Sequence, residues 1–521
     1  LSSWSAASDV YKRQFIMSDI HINERRKTMR FHVNHNNESP IETIIIGIPD
    51  HINQLGKIKY NQITLTKQIE MLKQHRIIGS QVGKISSTIF YIEDIPKRLV
   101  TVGLGNLKQL SYQNLLKVWG QLFQYLKQEH INEAELLLET FISKYVDVSK
   151  LLKTLGLQSE QSIYQFDNYK SDKKAPYQPH IHIQTTHSDV DTLVKEGQQI
   201  GQSINLSREL SQMPLNILTP QYFAEQIRKH FDGSNVNVDI KDTEQLLSEG
   251  FGLLYAVGKG SSHGPRLITI TYNGAQEDED PIILVGKGIT YDSGGYSIKS
   301  KTGMQTMKFD MCGAANVVGM IDAISKLQLP VNIVGIIASA ENMINEASMK
   351  PDDVFTALNG ETVEMLNSDA EGRMLLGDAV FYATQFKPQL ILDFATLTGA
   401  AIVALGEDKS AAFHSDAKNE LTSILNVAHA VDEKVFELPI TDTEQQLIKK
   451  SDVADLVNHT NGQGKALFAA AFISHFSGLT PHIHFDIAGP ATSHFHSFKG
   501  PKGPTGYMIP TIVEWMKQSY N

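Results

Sequence analysis

Acidic and basic side chains that could bind metal ions or take part in catalysis are concentrated in one stretch, from Pro281 to Arg373. It contains the segments PIILVGKGITYDSGGYSIKS, MKFDMCGAA and NSDAEGRM. Hard divalent cations prefer carboxylate oxygens, and two cations about 3.5–4 Å apart can share one water, lower its pKa and polarise a carbonyl. The stretch offers four candidate ligands and three candidate cations for this chemistry: Asp292, Asp310, Asp369, Glu371, Lys287, Lys299 and Arg373.

Local spacing supports a common site for these groups. Asp369 and Glu371 are two residues apart, and in an extended segment that spacing points both carboxylates to one side. Lys287 and Asp292 are predicted to flank a Gly/Thr turn that follows the apolar run IILVG. Any one of the acidic residues alone is better explained as a surface charge or an ion pair. The whole set favours a metal site, because GKG, SGG and CGAA permit close backbone approach.

The elements that must position these residues are predicted from apolar runs and helical periodicity. PRLITITYN, VNIVGIIASA and QLILDFATLTG are typical of buried strands, and AANVVGMIDAISKL and GRMLLGDAVFYATQF are typical of helices. Continuous apolar strands joined by helices predict an α/β domain with a mostly parallel, mixed sheet covered by helices on both faces. The carboxylates would then lie in loops past the strand ends, where such sheets bind ligands.

The N-terminal part predicts a second, smaller α/β domain. IETIIIGIP, STIFYIED and RLVTVGLG indicate strands, and YQNLLKVWGQLFQYLKQ indicates an amphipathic helix. The segment GLGNL could be a nucleotide-binding loop, but it lacks a third glycine or a P-loop lysine, so a strand-to-loop turn is the better interpretation. A polar segment over residues 164–186 is the best candidate for a connection. We therefore predict an N-terminal domain with linker over residues 29–186 and a catalytic domain over 187–521.

Residues 1–28 are predicted to be a doubtful, non-native extension. LSSWSAASDVYKRQ has no strand or helix pattern, and the charges in this region leave no secretory signal core. Translation is expected to start at Met29, with Met17 as the less favoured alternative.

Composition excludes several classes of protein. The chain has 521 residues, 41% hydrophobic and 20% charged, as in an ordinary globular protein of two or more domains. Its net charge of −10 argues against a protein built mainly to bind nucleic-acid backbones. With Cys312 as its one cysteine the chain forms no internal disulfide, and a buried small residue is a better interpretation of Cys312 than a nucleophile. The longest apolar runs are too short to span a bilayer.

The segments VGKGITYDSGGYSIK, MKFDMCGAA, NSDAEGRM and DFATLTGA closely resemble the signature of the leucyl aminopeptidases, a family of cytosolic, hexameric, two-metal exopeptidases. The likeness extends from about Asn205 to the C-terminus. It implies an aminopeptidase that removes Leu and other apolar N-terminal residues from peptides, acts in the cytoplasm, and assembles as a homohexamer through a small N-terminal domain. No membrane partner is expected, and nucleic acid is not the expected partner.

The resemblance also implies roles for individual residues. Asp292 and Glu371 would each bridge two divalent cations (Mn²⁺ or Zn²⁺), Asp369 would complete one site, and Asp310 and Lys287 would complete the other. A metal-bridging hydroxide would attack, Lys299 would stabilise the oxyanion, and Arg373 would hold a bicarbonate that acts as general base. The resemblance further implies four substrate-binding residues: Met307, Leu397, Thr398 and Gly399. The family's NTDAEGRL is NSDAEGRM here, and its PGDV is PDDV, so Asp352 stands where glycine is usual.

Three other interpretations stay open at this point. HIH at 180–182 and 482–484, and HFH at 494–496, could bind zinc from one face of a strand, although packed or surface imidazoles explain them better. Two metals with Lys and Arg could also serve the hydrolysis of another amide or of a phosphoester. A local basic patch could bind DNA, as some members of the family do.

Overall fold

The structure is a computed structural model that describes residues 29–34, 41–60, 63–276 and 279–520. The predicted non-native extension, residues 1–28, lies outside the described residues. The strands are β1 Arg30–Asn34, β2 Thr43–Pro49, β3 Lys59–Tyr60, β4 Ile63–Thr64, β5 Ile85–Ile92, β6 Ile95–Gly105, β7 Glu133–Leu137, β8 His180–Gln184, β9 Val236–Lys241, β10 Arg266–Asn273, β11 Ile282–Asp292, β12 Asn332–Asn342, β13 Val354–Thr356, β14 Thr362–Glu364, β15 Leu390–Ala395, β16 Ser410–Ser415, β17 Val435–Glu437, β18 Leu456–Val457, β19 His482–Asp486, β20 Thr492–Ser493 and β21 Gly503–Pro504.

The α-helices are α1 Thr66–Gln74, α2 Tyr112–Gln128, α3 Val148–Gln161, α4 Val190–Gln212, α5 Pro220–Phe231, α6 Thr243–Glu249, α7 Gly252–Gly258, α8 Cys312–Lys326, α9 Glu371–Thr384, α10 Gly399–Leu405, α11 Lys418–Ala430, α12 Asp442–Leu447, α13 Lys465–His475 and α14 Ile509–Tyr520. Short 3-10 helices lie at Ile52–Gln54, Leu107–Gln109, Leu138–Thr140 and Met307–Phe309. Among the helices of the described ranges, none combines the length and the apolar character that crossing a membrane requires.

The N-terminal domain is built on a six-stranded sheet in the order β1-β8-β7-β2-β6-β5. Its pairs are parallel apart from the antiparallel hairpin β5–β6. All seven residues of β2 are buried, as expected for a strand in the interior of a sheet covered on both faces. The polar segment predicted as a connection contains β8, which lies inside the sheet between β1 and β7. The isoleucines of this strand alternate with histidines and pack into the core. The domain boundary at residue 186 stays a prediction.

The C-terminal domain contains an eight-stranded sheet in the order β17-β16-β19-β15-β11-β12-β10-β9. The central pairs β19–β15, β15–β11 and β11–β12 are parallel, as is the edge pair β16–β17, and the remaining pairs are antiparallel. The predicted fold class, an α/β chain of two domains with a mostly parallel, mixed second sheet, is confirmed.

Strand β11 shows how this sheet is held between two layers of helix. Ile282 and Leu284 pack into a hydrophobic core with α8, whereas Ile283 and Val285 pack into a core with α9 on the other face. Successive side chains of a strand point to opposite faces, so an unbroken apolar run is what a sheet covered on both faces requires.

The predicted turn between Lys287 and Asp292 is wrong, because both residues belong to the single strand β11. Parallel pairing with β12 continues to Asp292, with one irregularity between Ile289 and Tyr291. The flanking glycines serve close packing instead of a turn. A Cβ at Gly286 would lie 2.6 Å from Ala314 Cα of α8, so only glycine lets this helix approach the strand.

Helices α3 and α4 also pack closely through small residues. A Cβ at Gly156 would lie 2.0 Å from the carbonyl oxygen of Val194, and a Cβ at Gly197 would lie 2.0 Å from that of Lys153. Helix α4 continues along α8, where Ser207 Oγ donates to Asn316 Oδ1 at 2.5 Å. The α3–α4 contact therefore connects the N-terminal core to α8, a helix that packs on one face of the eight-stranded sheet.

Replacing Gly197 with alanine should destabilise the protein, because the added methyl group has no space against a backbone carbonyl. Overpacking of this kind costs about 1–3 kcal/mol of the free energy of unfolding, which chemical denaturation of G197A would measure. Gly56→Ala is the matched control, since a Cβ at Gly56 meets nothing within 4 Å. Equal stability of the two variants would contradict the close helix contact.

Candidate active site

Three of the predicted ligands come together at one end of the large sheet. Carboxylate oxygens of Asp292, Asp369 and Glu371 all lie within 4.8 Å of one another. Asp292 is the last residue of β11, Asp369 lies in the turn between β14 and α9, and Glu371 is the first residue of α9. In the described part of the chain, no other three His, Cys, Asp or Glu side chains converge so closely.

Lys287 brings Asp310 into the same cluster. Its Nζ lies 2.8 Å from Asp310 Oδ1 and 3.1 Å from Glu371 Oε1, and it donates to the carbonyl oxygen of Thr396 at 3.0 Å. The side chains of Lys287, Asp310 and Glu371 are no more than 7% exposed. The ammonium group of Lys287 therefore lies between two buried carboxylates and supplies positive charge to both.

Lys299 makes the corresponding contact with the other two carboxylates. Its Nζ lies 2.7 Å from Asp292 Oδ2 and 2.5 Å from Asp369 Oδ1. Its side chain is 18% exposed and that of Asp369 is 33% exposed, so this half of the cluster opens to solvent. The two ammonium groups thus each bridge one pair of carboxylates.

The cluster carries more negative than positive charge in a buried place. Four carboxylates face two ammonium groups, and burial raises the pKa of Asp310 to about 6 and that of Glu371 to about 8. Burial alone would lower the pKa of Lys287, but the nearby carboxylates outweigh it and hold that pKa above its usual value. Buried charge is costly unless it is balanced, so this set of side chains favours additional cations.

The donor atoms fit divalent metal ions. Asp310 Oδ2 is buried and accepts no hydrogen bond from the described residues, which leaves a carboxylate lone pair free inside the cluster. Oxygen ligands with one amine suit Mn²⁺ or Zn²⁺. The residues present could therefore hold the metal that the sequence predicts.

Several residues that support the carboxylates were not identified from the sequence. Asn342 Nδ2 donates to Asp292 Oδ1 at 2.8 Å and to the carbonyl oxygen of Ser368 at 3.0 Å. Thr396 Oγ1 donates to Asp310 Oδ1 at 2.8 Å. Each partner is at least 26 residues away in the chain, and no local motif marks it.

The segment that contains Asp369 is a turn and not the predicted extended stretch. Asn367 Oδ1 accepts a hydrogen bond from the backbone N–H of Asp369 at 2.8 Å, an Asx-type contact that competes with an extended backbone. The turn at Asp369 is followed directly by α9, and this geometry still brings the carboxylates of Asp369 and Glu371 close together. The convergence was predicted correctly, but its geometric cause was wrong.

Glycines let the loop after β11 fold back over the cluster. Gly294 and Gly295 have φ of +84° and +60°, which other residues adopt only with strain. A Cβ at Gly294 would lie 2.9 Å from Asp369 Oδ1 and 2.9 Å from the backbone nitrogen of Lys299. A Cβ at Gly372 would lie 2.7 Å from Lys287 Nζ, so this glycine makes room for the lysine.

Arg373 lies beside the carboxylates on the first turn of α9 and is 6% exposed. Its Nη1 donates to the carbonyl oxygen of Asn458 at 2.9 Å, and its guanidinium carbon lies 5.6 Å from the centre of the Phe468 ring. Burial lowers its pKa to about 10, so the group stays cationic at neutral pH. Its Nε is buried and has no hydrogen-bond partner among the described residues, which leaves a donor for an anion.

The predicted substrate-binding residues lie on two segments, one leading into Asp310 and one following Thr396, which contacts Lys287 and Asp310. Met307 opens the 3-10 helix directly before Asp310 and is half-buried. Leu397 and Thr398 follow β15, and Asp486 fixes both by accepting from Leu397 N at 3.2 Å and from Thr398 Oγ1 at 2.7 Å. Gly399 is exposed, and a Cβ there would meet nothing within 4 Å.

The histidine pairs have other partners. His182 Nε2 lies 3.0 Å from Glu133 Oε1 at the N-terminal sheet. His482 and His484 are fully buried, and each lies 2.7 Å from one oxygen of Asp393. These are pairwise contacts within sheets, and the metal interpretation gains no support from them. Cys312 is buried at the start of α8, as expected for a packed residue.

Comparison with known proteins identifies relatives of both domains. Residues 205–513 match the family model described as "Cytosol aminopeptidase family, catalytic domain", and residues 49–173 match its "N-terminal domain". The chain is 38% identical to a "Probable cytosol aminopeptidase" of Exiguobacterium sibiricum, over 92% of this chain and 95% of the relative. It is 37% identical to the "Cytosol aminopeptidase" of Pseudomonas aeruginosa, over 84% of this chain and 89% of the relative. The solved structure of the "Bottromycin maturation enzyme BotP in complex with Mn" has a TM-score of 0.80 at 26% identity, over 92% of this chain and all of that one.

Lys287→Met should strongly destabilise the metal-free protein, because Asp310 and Glu371 would stay buried without their counter-charge. Removing one partner of a buried ion pair costs about 3–5 kcal/mol of the free energy of unfolding, measurable by urea denaturation in the presence of a chelator. Lys350→Met is the control. Its partner Asp353 lies 3.2 Å away at an exposed site, where the expected loss is at most about 1 kcal/mol. A K287M protein as stable as K350M would show that the cluster is not electrostatically strained.

Proposed function

The chain belongs to the cytosol aminopeptidase family and is a metal-dependent aminopeptidase, a hydrolase, and we propose that it releases Leu and other apolar N-terminal residues from peptides at the cluster around Asp292 and Glu371. The observation that carries this proposal is the convergence of four carboxylates from three separate segments on two lysines within one partly open site. Surface ion pairs have no need of such an arrangement, whereas a pair of divalent cations requires it.

The resemblance to the leucyl aminopeptidases implies the metal ligands, and the two lysine-bridged pairs of carboxylates support that assignment. Lys287, Asp310 and Glu371 would hold one cation, Asp292 and Asp369 would hold the other, and Asp292 and Glu371 would be shared between them. Two cations so held would lower the pKa of a shared water to supply the hydroxide nucleophile, and would polarise the scissile carbonyl. Lys287 must give up its proton to act as a ligand, and a dication nearby favours this by repelling the ammonium form.

Lys299 is proposed to stabilise the developing oxyanion. Its ammonium group is held by Asp292 and Asp369 at the open side of the cluster, and it is only 18% exposed. A positioned cation in a place with little water stabilises developing charge far better than it would in solvent. With Asp292 and Asp369 holding a metal, the Lys299 ammonium would be available to donate to substrate.

Arg373 is proposed to hold the bicarbonate that serves as general base. Its guanidinium fork suits a planar carboxylate-like anion, and its Nε is free of hydrogen bonds to the described residues. Charge supports this role as well. With Lys287 neutral, two bound dications would balance the four carboxylates, and a hydroxide and a bicarbonate would balance Lys299 and Arg373.

The substrate's free α-amine would bind at the metal site, which selects peptide N-termini. Met307 would line the pocket for the first side chain, and the apolar thioether suits Leu. Leu397, Thr398 and Gly399 would hold the peptide backbone, with Asp486 fixing the loop. The resident metal is proposed to be Mn²⁺ or Zn²⁺. We further propose a cytoplasmic homohexamer without nucleic-acid or membrane partners, on the resemblance to the leucyl aminopeptidases.

A substrate panel on chelated and reloaded protein tests this function. Metal-free protein should lose hydrolysis of leucinamide, and Mn²⁺ or Zn²⁺ should restore it, because without metal no other group in the cluster supplies the nucleophile. N-acetyl-leucinamide should not be cleaved, since its blocked amine cannot bind metal. Cleavage of the acetylated substrate at a similar rate, or faster turnover of a phosphodiester, would contradict the proposal.

Lys299→Ala should lower kcat by about 10²–10³-fold with little change in KM, because the cation acts mainly on charge that develops in the transition state. Metal content must be measured alongside, since Lys299 contacts two ligands. Lys301→Ala on the same loop is the control, as Lys301 is exposed and should keep normal kinetics. A K299A enzyme with normal metal content and normal kcat would refute this role.

A further inference from the structure

Asn458 is a fully buried polar residue that neither the motifs nor the proposed mechanism uses. It directly follows β18, a two-residue strand paired in parallel with β14. Its backbone N–H donates to the carbonyl oxygen of Glu364 at 3.0 Å, so the pairing of the two strands continues to this residue. This strand pairing places the Asn458 side chain at the start of the loop that carries Asp369.

The side chain of Asn458 uses both ends of its amide on that loop. Oδ1 accepts from the backbone N–H of Leu366 at 2.8 Å and from that of Asn367 at 3.3 Å. Nδ2 donates to the carbonyl oxygen of Asn367 at 2.8 Å and to that of Ala370 at 3.4 Å. Loop residues 366–370 are therefore held on both sides of Asp369 by one amide.

The backbone of Asn458 contacts the other functional group of this region. Its carbonyl oxygen accepts from Arg373 Nη1 at 2.9 Å, which is the hydrogen bond that the guanidinium donates within the described chain. One residue thus links the loop that carries a proposed metal ligand to the proposed anion-binding arginine.

We propose that Asn458 is a positioning residue that fixes the Asp369 loop and Arg373 in one shared geometry, and this role rests on the proposed function. A side chain with a donor and an acceptor is required, because the loop presents both N–H and C=O groups to it. Aspartate would set an acceptor against two carbonyl oxygens, and alanine would leave buried backbone groups unpaired.

Calorimetric Mn²⁺ binding to full-length wild-type, N458D and N458A proteins tests the first half of the role. Residues that orient metal ligands typically change metal affinity by about 10–100-fold when they are replaced, and we expect weakening in this range for both variants. Asp455→Ala is the control. Asp455 belongs to the same segment and accepts from Thr362 N at 2.8 Å and Thr362 Oγ1 at 2.7 Å, away from the loop, so its variant should bind Mn²⁺ like the wild type.

A double-mutant cycle with Arg373→Ala tests the second half. If Asn458 positions Arg373, the loss of kcat/KM caused by R373A should be several-fold smaller in the N458D background than in the wild type, because contacting residues are not additive. Thermal unfolding of every variant shows whether it is folded. If N458D is not folded, N458A replaces it in the double-mutant cycle.

The outcomes separate this role from the proposed function. Wild-type Mn²⁺ affinity in a folded N458D or N458A protein, or full additivity with R373A, would overturn the positioning role. A wild-type protein that binds Mn²⁺ but cleaves no leucinamide would instead overturn the proposed function. In that case weakened Mn²⁺ binding by N458D would still support the part of the role that concerns the loop.

Discussion

The structure of this site depends on the attraction between buried carboxylates and the cations that separate them. Asp292, Asp310 and Glu371 are each less than one-tenth exposed, and their mutual repulsion would drive them apart if Lys287 and Lys299 were absent. When all four carboxylates are ionised, the two lysines neutralise only half of their negative charge. A fold that gathers such a set of side chains pays a cost in stability, and an added cation recovers that cost by binding to the native state alone.

The sheet supplies the rigidity that this charge cluster needs. Lys287 and Asp292 belong to β11, which is buried between two helical layers, and Glu371 opens a helix packed on one of those faces. Hydrogen bonds from Asn342, Thr396 and Asn458 then fix the loops that complete the set. Sites built on strands and helices hold geometry better than sites built on free loops, which suits the proposed pair of cations sharing one water.

Much of this arrangement could be predicted from the sequence. The apolar runs identified the central strands, and motif resemblance identified the family. The local backbone of the site was harder. Periodicity does not reveal that GKG continues a strand, because glycine serves both turns and close packing. Asn367 turned the Asp369 segment away from an extended form by a hydrogen bond that no pattern signals. Asn342 and Asn458 act across long stretches of chain, and such contacts leave no local signature.

The proposed function requires that the four carboxylates and Lys287 bind a pair of cations that share ligands. Anomalous diffraction from crystals of the protein loaded with Mn²⁺ measures this directly. We expect two manganese peaks about 3.5–4 Å apart, between Asp292 and Glu371, with Lys287 Nζ and Asp310 on one and Asp369 on the other. A single peak, or peaks bound elsewhere while Lys287 and Lys299 keep their ion pairs with the carboxylates, would contradict it.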